Sequence, residues 1–151
     1  MKNRRDTLRV LLDTSFILPT LGIDVGEEVS NGLKRLADVE AEIYYSRFSL
    51  LESLWVAARL AKSATLDSES FSLGLRSVIE EGRYKRVDED SGTFSNALRL
   101  YMMGHKDMID NILYTNSTHL ELRLLTPDKE LKEFIRNRGL KDTLISPEQI
   151  A

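Results

Sequence analysis

Val10-Leu11-Leu12-Asp13-Thr14-Ser15 decides the reading of this chain: three apolar residues stop abruptly on an acid followed by two hydroxyls. A short apolar run bounded by polar residues predicts a strand buried on both faces, of the kind found in a parallel sheet covered by helices. Asp13 then stands at that strand's carboxyl end. In open α/β sheets this edge is where ligands bind, so a carboxylate there faces a crevice.

Outward from this strand, helical and extended patterns alternate. Pro19 and Gly22 punctuate a short helix or turn, and residues 27–39 have helical spacing at Val29, Leu33 and Leu36. Ile43-Tyr44-Tyr45 predicts a second strand, with Ser46 placed to cap a helix over 47–62. A further helix is expected over 68–81, with Phe71, Leu75, Val78 and Ile79 on one side, then a weak strand over 84–87. A helix over 88–103 has Phe94, Leu98, Tyr101 and Met102 on one side and ends at Gly104; another runs from Asp107 to His119. A strand over 122–126, a helix over 129–138 closed by Gly139 and a last strand over 143–145 complete the series. The order predicts a three-layer α/β/α sandwich with a mostly parallel central sheet, built as one domain over residues 1–151.

Composition narrows the chemistry. The chain has 151 residues, no cysteine and a formal charge of -3. Disulfides and thiolate metal sites are therefore excluded, a reducing cytoplasm is the natural setting, and any metal must be held by oxygen or imidazole. No global basic field exists, so a nucleic-acid partner needs a local patch, for which Arg47, Arg59, Lys62, Lys85, Arg86, Arg99 and Lys106 are candidates. Met1-Lys2-Asn3-Arg4-Arg5 has the charge of a signal-peptide lead, but Asp6 and Asp13 interrupt the segment after it and no small-residue cleavage site appears. No apolar stretch approaches the ~18 residues of a membrane span.

Four further acids join Asp13. Glu52 has Phe48, Trp55 and Val56 as helical neighbours, so it either faces a partner beside the apolar stripe or reaches Arg59 and solvent. Asp107 and Asp110 lie three apart at a helix start, where Asp107 is a cap or a ligand. Asp128 comes after the strand containing Leu124 and Leu125 and so reaches the same edge as Asp13, unless it only caps the next helix. Carboxylates gathered in one cleft raise one another's pKa, and a hard divalent cation removes that conflict. His105, beside Lys106 and ahead of Asp107, is placed to meet substrate, but the better expectation is a solvated loop residue.

Leu11-Leu12-Asp13-Thr14-Ser15, Ser49-Leu50-Leu51-Glu52-Ser53-Leu54, Asp110-Asn111-Ile112-Leu113-Tyr114 and Thr126-Pro127-Asp128 together resemble the PIN domain, in order and over nearly the whole chain. This nuclease family includes toxins of many bacterial and archaeal toxin-antitoxin pairs. The resemblance implies that Asp13, Glu52, Asp110 and Asp128 bind metal, that Ser15 is the hydroxyl accompanying the first acid, and that Thr126 shapes the loop before the last. Asp107 is an additional candidate ligand. It implies Mg²⁺- or Mn²⁺-dependent hydrolysis of RNA phosphodiesters, a single-stranded or looped RNA substrate, an antitoxin partner and a homodimer. The alternative is a non-catalytic PIN-like interaction module in which the acids are caps and ion-pair partners. A phosphotransfer domain with Asp13 as nucleophile is disfavoured, because no second acid stands two residues on.

Overall fold

The computed structural model describes residues 7–150; the charged lead at 1–5 lies outside them. Five parallel strands form one sheet in the order β3-β2-β1-β4-β5: β1 (Arg9–Leu12), β2 (Glu42–Tyr45), β3 (Lys85–Arg86), β4 (Arg123–Leu125) and β5 (Leu144–Ile145). The parallel sheet expected from sequence is thus observed, with β1 at its centre. Val10, Leu11 and Leu12 are fully buried. The reason is the two-residue period of a strand, which sends successive side chains to opposite faces.

Val10 and Leu12 enter one core with Phe16, Ile17, Leu36, Ala57 and Phe71. These come from α1 (Thr14–Ile17), α2 (Glu27–Asp38), α3 (Arg47–Lys62) and α4 (Ser68–Ile79). Leu11 enters the opposite core with Leu100, Leu113, Leu131 and Ile135. Those belong to α5 (Ser91–Met102), α6 (Met108–His119) and α7 (Lys129–Asn137). Two cores on either side of one sheet make the three-layer α/β/α arrangement, and each buried apolar side chain contributes roughly 1.5–3 kcal/mol. Among the described residues, no helix is long and apolar enough to cross a membrane.

Three expectations fail for local reasons. The helix expected from Asp88 begins instead at Ser91, because Asp90 and Thr93 form a reciprocal capping box that fixes the start. The stripe of Phe94, Leu98, Tyr101 and Met102 faces outward, while Thr93, Ala97 and Leu100 are buried. Small and polar residues win the inner face because α5 packs closely on α6, with Asn96 donating to Thr115 at 2.9 Å. The strand expected over 84–87 is reduced to Lys85 and Arg86, although Val87 still donates to Tyr45 O at 2.9 Å.

Close helix approach also depends on Gly74. A Cβ there would lie 2.3 Å from Thr20 O and 2.7 Å from Leu21 Cα, both backbone atoms that cannot swing away. Gly74→Ala is therefore expected to destabilise the fold by about 1–3 kcal/mol, despite the better helix propensity of alanine. Thermal unfolding followed by circular dichroism checks this; an unchanged melting temperature would refute the tight α4 contact.

Candidate functional site

The strand that opens the chain delivers Asp13 to the carboxyl edge, where its N–H still pairs with Leu125 O at 3.0 Å. The residue then leaves the sheet with φ −64° and ψ 158° and caps α1, accepting from Ser15 N at 3.1 Å. Its other oxygen accepts from Thr126 Oγ1 at 2.5 Å, and the same hydroxyl accepts from Asp128 N at 3.1 Å. One threonine thus ties the end of β4 to the end of β1 and sets the turn into α7. Asp13 is only 8% exposed. Burial, helped by the charges of Glu52 and Asp128, lifts its carboxyl from 3.8 to about 6 against the pull of the Thr126 and Ser15 hydrogen bonds.

Asp110 arrives from the opposite layer, in the first turn of α6, whose cap is Asp107 accepting from Asp110 N at 3.1 Å. It too is 8% exposed. Its carboxyl is pushed far above the ordinary carboxylate range, first by burial, then by a hydrogen bond with Asp128 and the charges of Asp13, Asp107 and Asp128. Asp128 uses Oδ1 to cap α7, accepting from Glu130 N at 2.9 Å and Leu131 N at 3.2 Å. Its side chain also shares a hydrogen bond with Asp110.

The sequence-expected residues therefore assemble unevenly. Asp13, Asp110 and Asp128 converge, and Glu52 on α3, half-buried, adds its charge to the field at Asp13. Glu52 makes no ion pair with Arg59 among the described residues. Ser15 contributes its backbone N–H, and Asp107 is an exposed cap at the margin. Of the expected cations, Arg47, Lys85 and Arg86 are held by Glu89, Glu42 and Asp88. Lys129 and Lys132 instead line a cavity of about 370 Å³ that adjoins the site through Thr126 and Asp128.

His105 is not the solvated loop residue that the sequence predicts. It is 8% exposed, and one imidazole nitrogen lies with oxygens of Asp110 and Asp128 inside a group whose atoms are all within 4.8 Å of one another. The signal in the sequence is Asn111. An amide on a helix face that must be buried needs partners, and its Oδ1 meets His105 Nδ1 at 2.7 Å. Glu89, which sequence reasoning also misses, has a fully buried side chain that accepts from Ser46 Oγ at 2.9 Å and Asn116 Nδ2 at 3.0 Å. It joins the end of β3 to β2 and α6.

The donor set suits a hard divalent cation. Buried carboxylates held above their ordinary range are the result when acids converge without a positive charge.

No family model matches the sequence, and no curated protein matches it significantly. Solved structures do. The chain is similar to PAE2754 from Pyrobaculum aerophilum, with a TM-score of 0.65 at 15% identity over 93% of this chain and 85% of that one. It is similar to VapBC2 from Rickettsia felis, solved bound to a promoter DNA fragment, with a TM-score of 0.62 at 15% identity over 92% and 98% of the two chains. A toxin-antitoxin complex from Klebsiella pneumoniae aligns with a TM-score of 0.57 at 12% identity, covering 91% of this chain and 97% of that one. Likeness at such identities is likeness of fold, and the fold of this chain is that of the PIN domain.

Proposed function

We propose that this protein is a metal-dependent endoribonuclease of the toxin type, acting through Asp13, Glu52, Asp110 and Asp128. The observation that carries the reading is the convergence of Asp13, Asp110 and Asp128, two of them buried, at the carboxyl edge of a parallel sheet with no cation in their hydrogen bonds among the described residues. Asp110 caps nothing, so helix capping does not account for its burial. That argues against a module in which the acids are only structural.

In this reading, Asp13, Asp110 and Asp128 hold Mg²⁺ or Mn²⁺, with Glu52 completing the negative field. The bound ion supplies Lewis-acid polarisation of the phosphate and a water of lowered pKa. Thr126 keeps Asp13 and the Asp128 turn in register, and Ser15 N fixes the Asp13 rotamer. Lys129 and Lys132, on the neighbouring cavity, receive backbone phosphates of a single-stranded or looped RNA. An antitoxin partner and a cytoplasmic setting accompany this reading, and the likeness to a toxin-antitoxin complex supports the first of them. Incubation with mixed single-stranded RNAs, with Mn²⁺ or with a chelator, tests it. Cleavage is expected only with metal and only in the wild type; equal cleavage by the Asp13→Asn, Asp110→Asn double variant would refute it.

The homodimer is assigned to the outward apolar face of α3 and α5. Trp55 is 56% exposed and Met102 77%, and Phe48 and Phe94 stack edge-on with centroids 5.7 Å apart to make the face continuous. An exposed patch of this kind marks an association surface. Trp55→Asp with Leu98→Asp is expected to convert a dimer to a monomer in light scattering, with the fold retained by circular dichroism. A wild type that is monomeric at high concentration would remove the assignment.

A further inference from the structure

We propose that His105 is a nitrogen ligand of this metal centre and makes it select Mn²⁺ over Mg²⁺. The inference rests on the reading that the acids hold a divalent cation, and it adds a residue outside the four acids.

Asn111 is fully buried and sets the state of the imidazole beside it. Its Nδ2 donates to two carbonyls, His105 O at 2.8 Å and Ala97 O at 3.3 Å. That orientation leaves Oδ1, an acceptor only, against His105 Nδ1 at 2.7 Å. Nδ1 must therefore be the donor in this pair, which leaves Nε2 as the nitrogen able to offer a lone pair to a metal. No hydrogen bond engages Nε2 among the described residues.

The ring is also fixed in orientation. It lies against Phe134 with centroids 5.3 Å apart, and the backbone N–H of His105 donates to Leu100 O at 3.1 Å. An imidazole with one nitrogen tied to an amide or carbonyl oxygen and the other free of hydrogen bonds is the arrangement that orients metal-binding histidines. A core histidine kept only for packing would not need to share its space with two carboxylates. Donor atoms of His105, Asp110 and Asp128 lie within 4.8 Å of one another. Opposite ligands of one ion stand roughly 4.2 Å apart at typical bond lengths of about 2.1 Å, so small rotations bring all three onto a single centre.

The donor dictates the choice of ion. Mg²⁺ takes oxygen ligands and keeps its waters, whereas imidazole favours the transition ions, of which Mn²⁺ also accepts the carboxylates supplied here. Replacing nitrogen by an oxygen donor should therefore cost Mn²⁺ more than Mg²⁺.

The test is electron spin echo spectroscopy of the Mn²⁺-loaded full chain. The chain has two histidines, His105 and His119, and His119 is exposed in the last turn of α6. Wild type and His119→Gln are expected to show ¹⁴N modulation from a coordinated imidazole, and His105→Gln to lack it. By calorimetry, His105→Gln is expected to weaken Mn²⁺ binding by roughly 10- to 100-fold, the scale of losing a ligand's orienting partner, and Mg²⁺ binding by much less. If His105→Gln fails to fold, His119→Gln labelled with ¹⁵N-histidine decides the matter, because His105 is then the one labelled residue and the ¹⁴N features must be replaced by ¹⁵N ones. Tight Mn²⁺ binding without imidazole modulation overturns the role of His105 and leaves the acidic site standing. Binding of neither cation overturns both.

Discussion

Asp110→Asn protein is expected to melt higher than the wild type at pH 7.5 in the absence of metal, while losing RNA cleavage in its presence. Asp110 and Asp13 are both held above their unfolded values, so the folded state binds more protons than the unfolded one. Stability from this source is fully present below about pH 4 and is lost as pH rises through the folded values. For Asp13, the window runs from 3.8 to about 6 and the loss is about 3 kcal/mol. For Asp110, lifted further by the same burial and by Asp128, the loss continues through neutral pH. Asparagine keeps the shape and a hydrogen bond to Asp128 without needing a proton. Each kcal/mol gained corresponds to roughly 2–4 °C for a chain of this size. Differential scanning calorimetry of both proteins between pH 4 and pH 8, with chelator, checks it. A wild type whose stability rises across that range would show that the acids are not in conflict.

Adding Mn²⁺ or Mg²⁺ at pH 7.5 is expected to reverse the deficit in the wild type. At 100 times the dissociation constant, mass action adds about 2.7 kcal/mol, or roughly 5–11 °C in melting temperature. Because the ligands must lose protons to bind, the stabilisation should shrink steeply as pH falls from 8 towards 5, the opposite trend to that of the metal-free protein. Asp13→Asn and Asp110→Asn should each lose most of it, since each removes a charged oxygen donor at the centre of the cluster. Thermal shift across a metal and pH grid reads all of this at once. A uniform shift shared by wild type and both variants would mean that the cation binds elsewhere on the surface.

Much of the fold is legible in the one-dimensional pattern. An apolar run ending on an acid, with alternating helical and extended segments after it, dictates a parallel sheet, because a strand buried on both faces has no polar residues to offer water. Caps are legible for the same local reason. Ser46, Asp107 and Asp128 each accept from backbone N–H groups within three residues, a preference carried by the side chain itself. Even the pairing of Asp13 with Asp128 at one edge is settled once the strands are parallel.

Burial, by contrast, is decided by the packing of layers. The stripe on α5 turns outward because Thr93 and Ala97 allow α6 to approach, which no periodicity reveals. His105, in the loop between α5 and α6, looks solvated because its neighbours in sequence are polar; Asn111 and Phe134, which enclose it, come from two other elements. The amino-acid sequence alone determined the order of the elements, the edge on which the acids stand and the acidic character of the site. Only the tertiary structure decided how deeply Asp13 and Asp110 lie, how they conflict with Asp128, and that an imidazole shares their cleft. Desolvation depends on what covers a group from across the fold, and that cover is built from residues far apart in the chain.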